Sequence, residues 1–270
     1  MISISNINKV FNAGEPDEVN ALKEVSLMIP EHEFVAVIGT NGSGKSTLLN
    51  TIAGNIAADS GKIMIDGTNV TRKADFQRAK YISRVFQNPY SGTAPGMTIA
   101  ENLLMAYFRG GARYPIISLK GQLKDKFRSQ LASLDMQLED RLDNLMGSLS
   151  GGQRQAITLL MAVLQTPKVL LLDEHIAALD PKSAAQIIRL TQKFVSENNL
   201  TTLMVTHSMQ HALELGNRMI MMHNGRIIED FREHDKKNLT VEDLLSKFED
   251  IRKAEKLTPE LIDSLKNQYI

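Results

Sequence analysis

The sequence predicts an α/β fold with a mixed, mainly parallel central sheet. Short apolar runs alternate along the chain with segments in which the apolar residues have helical spacing. Residues 169–172 are all apolar, which is typical of a strand buried on both faces of a parallel sheet. A glycine-rich segment, residues 39–46, joins the apolar run 34–38 to a predicted helix at 47–53, as expected for a strand, a ligand-binding turn and a helix in such a fold.

The composition is that of an ordinary globular protein. Of the 270 residues, 43% are hydrophobic and 23% are charged, and 31 basic and 31 acidic side chains give a net charge of +0. This balance gives no electrostatic reason to expect a nucleic-acid partner. The lack of cysteine excludes disulfides, thiolate metal sites and a cysteine nucleophile. The sequence has neither a secretory signal pattern nor an apolar run long enough for a transmembrane helix, so we expect any membrane role to depend on a partner.

Two regions depart from the alternation of strands and helices. Residues 2–5 and 25–29 alternate polar and apolar side chains, which predicts half-buried strands near the N-terminus. The segments 99–108 and 119–145 have helical spacing and are separated by a break at 109–115, which predicts a helical lobe. The apolar positions that predict one face of the longer helix are Leu131, Leu134, Leu138, Leu142 and Leu145. The other predicted elements are strands at 61–67 and 200–206, a helix at 182–195, a hairpin of 218–222 and 225–229, and a helical tail at 240–270 with a turn near Thr258 and Pro259.

The glycine-rich segment carries the pattern GxxxxGK[ST] in the context that identifies a phosphate-binding loop. Its glycines allow the backbone to turn tightly, and its N–H groups lie at the start of a helix, where a polyphosphate binds favourably. We expect Lys45 to reach the β- and γ-phosphates and the hydroxyl of Ser46 to coordinate Mg²⁺. The predicted contacts of this segment with the nucleotide are Gly39, Thr40, Asn41, Gly42, Ser43, Gly44, Lys45, Ser46 and Thr47.

Polar side chains follow three other predicted strands. Asp173 and Glu174 end the apolar run at 169–172, and the end of such a strand faces the ligand crevice of an open α/β sheet. His207 ends another strand, which favours a functional role over the structural role that a lone histidine usually has. Gln87 lies where a strand leaves for a loop, because Pro89 disfavours a helix there. Phe11, before a polar loop, is equally consistent with a packed aromatic and with a platform for a purine base.

The most specific pattern is Leu149-Ser150-Gly151-Gly152-Gln153, which lies between the phosphate-binding loop and the strand that ends in Asp173 and Glu174. With these motifs, the chain from residue 2 to 229 resembles the nucleotide-binding subunit of an ATP-binding cassette (ABC) transporter. The resemblance implies a P-loop NTPase core, an N-terminal antiparallel β subdomain and a helical subdomain at about 90–150 within an ATPase domain of residues 1–231. Residues 232–270 would form a C-terminal helical appendage.

The resemblance also implies a role for each matching side chain in ATP hydrolysis. Asp173 holds Mg²⁺, Gln87 joins the metal and water shell, and Glu174 is the general base for in-line attack of water on the γ-phosphate. His207 contacts the γ-phosphate, and Phe11 stacks on adenine. Asp180 belongs to a loop that reaches a second subunit.

In this family the residues Ser150, Gly151, Gly152 and Gln153 cap an ATP molecule held by the phosphate-binding loop of another subunit. The resemblance therefore implies two copies of the chain around two ATP molecules. It also implies permease subunits, an extracytoplasmic solute-binding protein and a location at the cytoplasmic face of the cell membrane.

One departure from the family pattern bears on the transported solute. Proline and a small polar residue usually follow the two carboxylates, whereas this chain has His175 and Ile176. A Glu-His pair here is similar to a subgroup of bacterial importer ATPases for small organic solutes such as amino acids. For His175 itself we favour a packing role over a second catalytic base. The alternatives to an importer are an exporter subunit and a soluble ABC protein of translation or DNA repair.

Overall fold

The computed structural model describes residues 1–110 and 121–254. The strands are β1 (Ile2–Phe11), β2 (Val19–Ile29), β3 (Phe34–Gly39), β4 (Ser60–Ile65), β5 (Thr68–Asn69), β6 (Ile82–Val85), β7 (Val169–Asp173), β8 (Thr201–Val205), β9 (Arg218–His223) and β10 (Arg226–Phe231). The helices are α1 (Lys45–Ala53), α2 (Asp75–Arg78), α3 (Ile99–Tyr107), α4 (Gln122–Ala132), α5 (Gly151–Val163), α6 (Pro181–Glu197), α7 (Met209–Glu214), α8 (Glu233–Lys236) and α9 (Val241–Ala254). The described residues form two compact units, one from Met1–Arg72 together with those from Thr202 onward, and the other from those within Lys73–Thr201.

The first unit contains an antiparallel sheet and a set of mainly parallel strands. The antiparallel sheet has the order β2-β1-β4-β5, which confirms the predicted N-terminal strands and extends both of them. In the second set, β3 pairs in parallel with β8 on one side and with β9 on the other, and β10 is antiparallel to β9. All six residues of β3 are buried, as its uninterrupted apolar run predicts.

The predicted C-terminal hairpin of the first unit is confirmed. β9 and β10 are joined at Asn224 and Gly225, both with positive φ, 46° and 78°, which is the backbone that a tight two-residue hairpin turn needs. The methionines of β9 are buried and fill the core, in agreement with the sequence analysis. The helical tail is confirmed as far as Ala254, and the predicted turn at Thr258 and Pro259 lies outside the described residues.

The second unit combines a pair of parallel strands with helices. β6 and β7 pair in parallel, with Val85 opposite Leu172. Four residues of β7 are buried and the fifth, Asp173, is half-buried, so the strand ends with a carboxylate at its edge. α5 is buried along most of its length, and its Gly152 is close enough to α6 that a Cβ there would lie 2.5 Å from Ser183 Oγ.

One helix prediction is wrong in its extent. The segment 119–145 was expected to be helical throughout, but α4 ends at Ala132 and turns follow. Asp135 and Gln137 have φ of 55° and 53°, in the left-handed region that stops an α-helix. The leucine spacing arises because the end of α4 buries Leu131 and the turn-rich segment after it buries Leu134, Leu138 and Leu142, whereas Leu145 is 52% exposed. The start of this segment and most of the predicted break at 109–115 lie outside the described residues.

Candidate nucleotide-binding site

The phosphate-binding loop connects the end of β3 to the start of α1. Two of its glycines lie against other backbone: a Cβ on Gly39 would be 2.2 Å from Met222 O, and one on Gly44 would be 2.4 Å from Ala21 O. Gly44 is the N-cap of α1 and provides no side-chain acceptor. The N–H groups of the first turn are therefore not capped by their own N-cap side chain, which suits them to an anionic ligand.

Lys45 lies inside this loop, with 5% of its surface exposed. Its ammonium Nζ donates to the carbonyl oxygens of Gly39 at 2.6 Å and Thr40 at 2.9 Å. These bonds offset part of the free-energy cost of burying an ammonium, and they hold the ammonium against the backbone at the start of the loop. Ser46 and Asn41 are exposed, so their polar side chains are accessible to a ligand.

His207 follows β8 at the same sheet edge as the phosphate-binding loop, because β8 is parallel to β3 with Val205 opposite Val37. A local turn fixes this position: Ser208 N donates to Thr206 Oγ1 at 3.1 Å, and Ser208 Oγ accepts from His211 N at 3.1 Å as the N-cap of α7. The half-buried His207 thus lies at a strand end, as the sequence predicts, and directly before the N-cap of a helix that the sequence analysis did not predict.

Phe11 ends β1, opposite Val19 of β2. The ring is half-buried, and the ammonium of Lys9 lies 5.4 Å from its centroid. The Phe11 side chain is therefore not part of the buried core. It lies half-buried at a strand end, with a cation over the face of its ring.

Gln87 and Glu174 follow neighbouring strands in the second unit. Val85 is opposite Leu172, so each of these two residues comes two positions beyond a paired residue at the same sheet edge. Glu174 is 8% exposed and has φ of 45°, in the left-handed region, and its carbonyl accepts from Ala177 N at 3.0 Å. A tight turn therefore directs the chain away from the sheet immediately after Asp173. The predicted base and the predicted glutamine thus follow neighbouring strands at the same sheet edge.

Two functional candidates in this unit were missed by the sequence analysis. Gln155 is fully buried in α5, and its Nε2 donates to the carbonyls of Phe86 at 3.2 Å and His175 at 2.8 Å. Arg84 of β6 donates from Nη2 to Asp173 Oδ2 at 2.6 Å. The only signal in the sequence is a polar or charged residue within a run that is otherwise buried.

The motif at 149–153 forms the start of α5. Ser150 is the N-cap, its Oγ accepts from Gln153 N at 3.3 Å, and Gln153 Oε1 accepts from Ser150 N at 3.3 Å. This reciprocal capping box confirms the predicted helix start. Ser150 and Gly151 are exposed, so the positive end of the helix faces outward.

Asp180 and His175 both have local partners. Asp180 is the N-cap of α6, and the hydrogen bond between Ser183 and its carboxylate holds the pKa of Asp180 below its ordinary value. His175 is 1% exposed, and its Nε2 lies 3.0 Å from Thr191 Oγ1. The burial of His175 fits the packing role that we favoured for it.

No group of three or more histidine, aspartate or glutamate side chains that could hold a metal occurs in the two described ranges. Asp173 is half-buried and Ser46 is exposed, and each provides oxygen atoms of the kind that Mg²⁺ prefers as ligands.

The apolar strand, the glycine-rich loop and the following helix define a P-loop NTPase. A family model described as "ABC transporter" matches residues 22–177. The chain is 46% identical over 254 residues to the tyrosine transport ATP-binding protein of Clostridioides difficile (strain R20291), which covers 92% of this chain and 99% of that protein. The chain belongs to the ABC transporter family.

Other relatives and solved structures agree with this assignment. The methionine import ATP-binding protein MetN 1 of Staphylococcus aureus (strain USA300) is 31% identical, over 85% of this chain and 65% of that protein. A dimeric ATP-binding cassette in a post-hydrolysis state, bound to ADP and Pi, has a TM-score of 0.71 and 29% identity, over 86% of this chain and 99% of that one. A nucleotide-free cassette of an ABC transporter has a TM-score of 0.73 and 27% identity, over 91% and 95% of the two chains. The predicted fold class is confirmed.

No helix in the described part of the chain is long and apolar enough to span a membrane.

Proposed function

We propose that this chain is the ATP-hydrolysing subunit of an ABC importer for a small organic solute, with amino acids as the favoured class. The observation that carries the proposal is a phosphate-binding loop in the same chain as a buried strand that ends in Asp173 and is followed by Glu174. Identity to a tyrosine transport ATP-binding protein and the His175 that follows Glu174 support the amino-acid class.

The proposed chemistry is in-line attack of water on the γ-phosphate of ATP. The buried carboxylate of Glu174 orients and polarises the water, and His207 contacts the γ-phosphate. Lys45 and the N–H groups of the loop stabilise the charge on the phosphates. Phe11 stacks on adenine. The phosphate-binding loop contacts the nucleotide through residues 39–47, as predicted from the sequence.

Mg²⁺ is proposed to bind at Asp173, Ser46 and Gln87. When bound, it neutralises charge on the phosphate oxygens. The half-buried carboxylate and the exposed hydroxyl support these assignments.

A second copy of the chain is proposed to complete each ATP site. Its Ser150, Gly151, Gly152 and Gln153 would cap the ATP held on the first copy, and Asp180 would lie at the same contact. The exposed N-terminus of α5 and the dimeric form of a similar cassette support this arrangement. We further propose permease subunits and an extracytoplasmic solute-binding protein as partners, with the chain at the cytoplasmic face of the cell membrane.

The direct test is the Glu174→Gln variant. Because the amide keeps the shape but cannot act as a base, ATP binding is retained, hydrolysis falls by about 100-fold or more and an ATP-bound dimer accumulates. ATPase activity and size-exclusion chromatography with ATP measure both effects. The exposed Glu15→Gln is the matched control and leaves turnover unchanged. Normal hydrolysis in Glu174→Gln would contradict the assignment of the base, and purification with ribosomes or DNA instead of a permease would contradict the transport role.

A further inference from the structure

The carboxylate of Asp173 is held by an arginine from the neighbouring strand. β6 and β7 are parallel, with Arg84 opposite Leu171, so Asp173 lies two residues further along on the same face as Leu171. The Nη2 atom of Arg84 is 2.6 Å from Asp173 Oδ2, which is the distance of a charge-assisted hydrogen bond. The two side chains are 13% and 15% exposed, so water screens this pair much less than it screens a surface pair.

The guanidinium of Arg84 has a second contact that keeps it in place. The guanidinium lies 4.7 Å from the centroid of the ring of Phe86, which is two residues further along the chain. Phe86 directly precedes Gln87, and the carbonyl of Phe86 accepts the hydrogen bond from Gln155. The cation is therefore fixed between the proposed metal carboxylate and the residue next to the proposed metal glutamine.

A divalent cation at Asp173 must share this carboxylate with a guanidinium that carries a like charge. In a half-buried site the repulsion between two cations a few ångströms apart is stronger than in water. The phosphates of a nucleotide add negative charge beside the metal and offset this repulsion. We propose that Arg84 is an internal counter-cation of Asp173, which competes with a divalent cation for this carboxylate and so weakens the binding of the metal together with ATP.

This inference rests on the proposed binding of Mg²⁺ at Asp173. A purely structural role for Arg84 would affect stability alone, whereas a competing cation also sets the affinity for the metal. Removing the positive charge should therefore tighten the coupling between Mg²⁺ and ATP, although it also removes a hydrogen bond from Asp173.

The experiment measures the dissociation constant of fluorescent mant-ATP twice, with excess EDTA and with MgCl₂. The value in EDTA divided by the value in MgCl₂ is the metal coupling ratio. All proteins carry Glu174→Gln, so that hydrolysis does not interfere. Arg84→Met should raise the ratio about tenfold relative to its parent, since one like charge is lost near the metal. Arg84→Lys keeps the charge and should stay within about threefold. Arg84→Gln is a second neutral variant that retains a hydrogen-bond donor, and thermal melting establishes that each protein is folded.

Asp173→Asn separates the two possible failures. If this variant leaves the ratio at the parent value, the metal assignment in the proposed function is wrong. If it lowers the ratio while neither neutral Arg84 variant raises it, the metal assignment stands and the counter-cation role of Arg84 is overturned. A ratio that rises in both neutral variants and not in Arg84→Lys supports the inference.

Discussion

The Nε2 atom of Gln155 lies 2.8 Å from the carbonyl oxygen of His175, and the same amide also donates to Phe86 O at 3.2 Å. One buried side chain thus connects the residue after Glu174 with the residue before Gln87. Since α5 begins at the capping box of Ser150, this amide also links both strand ends to the helix that carries the 149–153 motif.

We predict that Gln155→Leu lowers kcat by about 10- to 100-fold with little change in ATP affinity, because the proposed base and glutamine lose their common support. Steady-state ATPase kinetics and equilibrium ATP binding measure the two quantities separately. Gln186→Leu is the matched control, since Gln186 also donates to two carbonyls, those of Leu134 and Asp135, both at 3.1 Å. If both variants lose stability alone and turn over ATP normally, Gln155 has only a packing role.

Arg218 is predicted to be a major contributor to the stability of the first unit. It is 2% exposed and binds Glu33 at 2.8 Å, Asp230 at 2.5 Å and the carbonyl of Met28 at 2.7 Å. Arg218→Met leaves these acceptors without their guanidinium and should reduce the free energy of unfolding by about 3–5 kcal/mol.

Urea denaturation measures this loss. Arg226→Met is its control, because Arg226 and Glu24 form an exposed pair at 3.0 Å that contributes about 0–1 kcal/mol. Equal effects of the two substitutions would show that burial of the Arg218 network adds nothing.

Lys236 should give the protein a stability that rises with pH. Its Nζ donates to Leu215 O at 2.7 Å and Gly216 O at 2.5 Å at the end of α7, and burial lowers its pKa to about 8 from an ordinary 10.5. Between these two values the unfolded chain binds more protons than the folded one, so the free energy of unfolding increases with pH.

The measurement compares urea denaturation of the wild type and Lys236→Met across this pH window. The difference between the two proteins should change with pH from about 8 upward and stay constant below it, where lysine is protonated in both states. A constant difference throughout would place the pKa of the folded lysine at its ordinary value.

The sequence was sufficient for elements with strong local signals. The phosphate-binding loop, the strand ending in Asp173 and the capped helix at Ser150 each depend on neighbouring residues, and all three are confirmed as local structures. The helix expected at 119–145 failed because apolar spacing alone does not distinguish a long helix from a turn-rich segment that buries the same leucines.

Contacts between distant parts of the chain could not be predicted from one sequence. Arg84 and Asp173 are 89 residues apart, and Gln155 and Phe86 are 69 apart. Their pairing depends on which strands are neighbours and in what register, and this information is not present in local residue patterns. The roles of the site residues in ATP hydrolysis remain predictions.

The central claim is that the 149–153 motif of one copy completes the ATP site on the phosphate-binding loop of another. Lys45→Ala should lose nucleotide binding, and Ser150→Arg should block the cap, so each variant alone is inactive. In a mixed dimer, the Lys45→Ala copy still provides an intact Ser150 to the intact loop of the Ser150→Arg copy. We therefore predict that mixing the two inactive proteins in equal amounts restores about a quarter of the wild-type ATPase activity per chain, from random pairing in a two-fold dimer. A mixture as inactive as its two components would contradict the shared site.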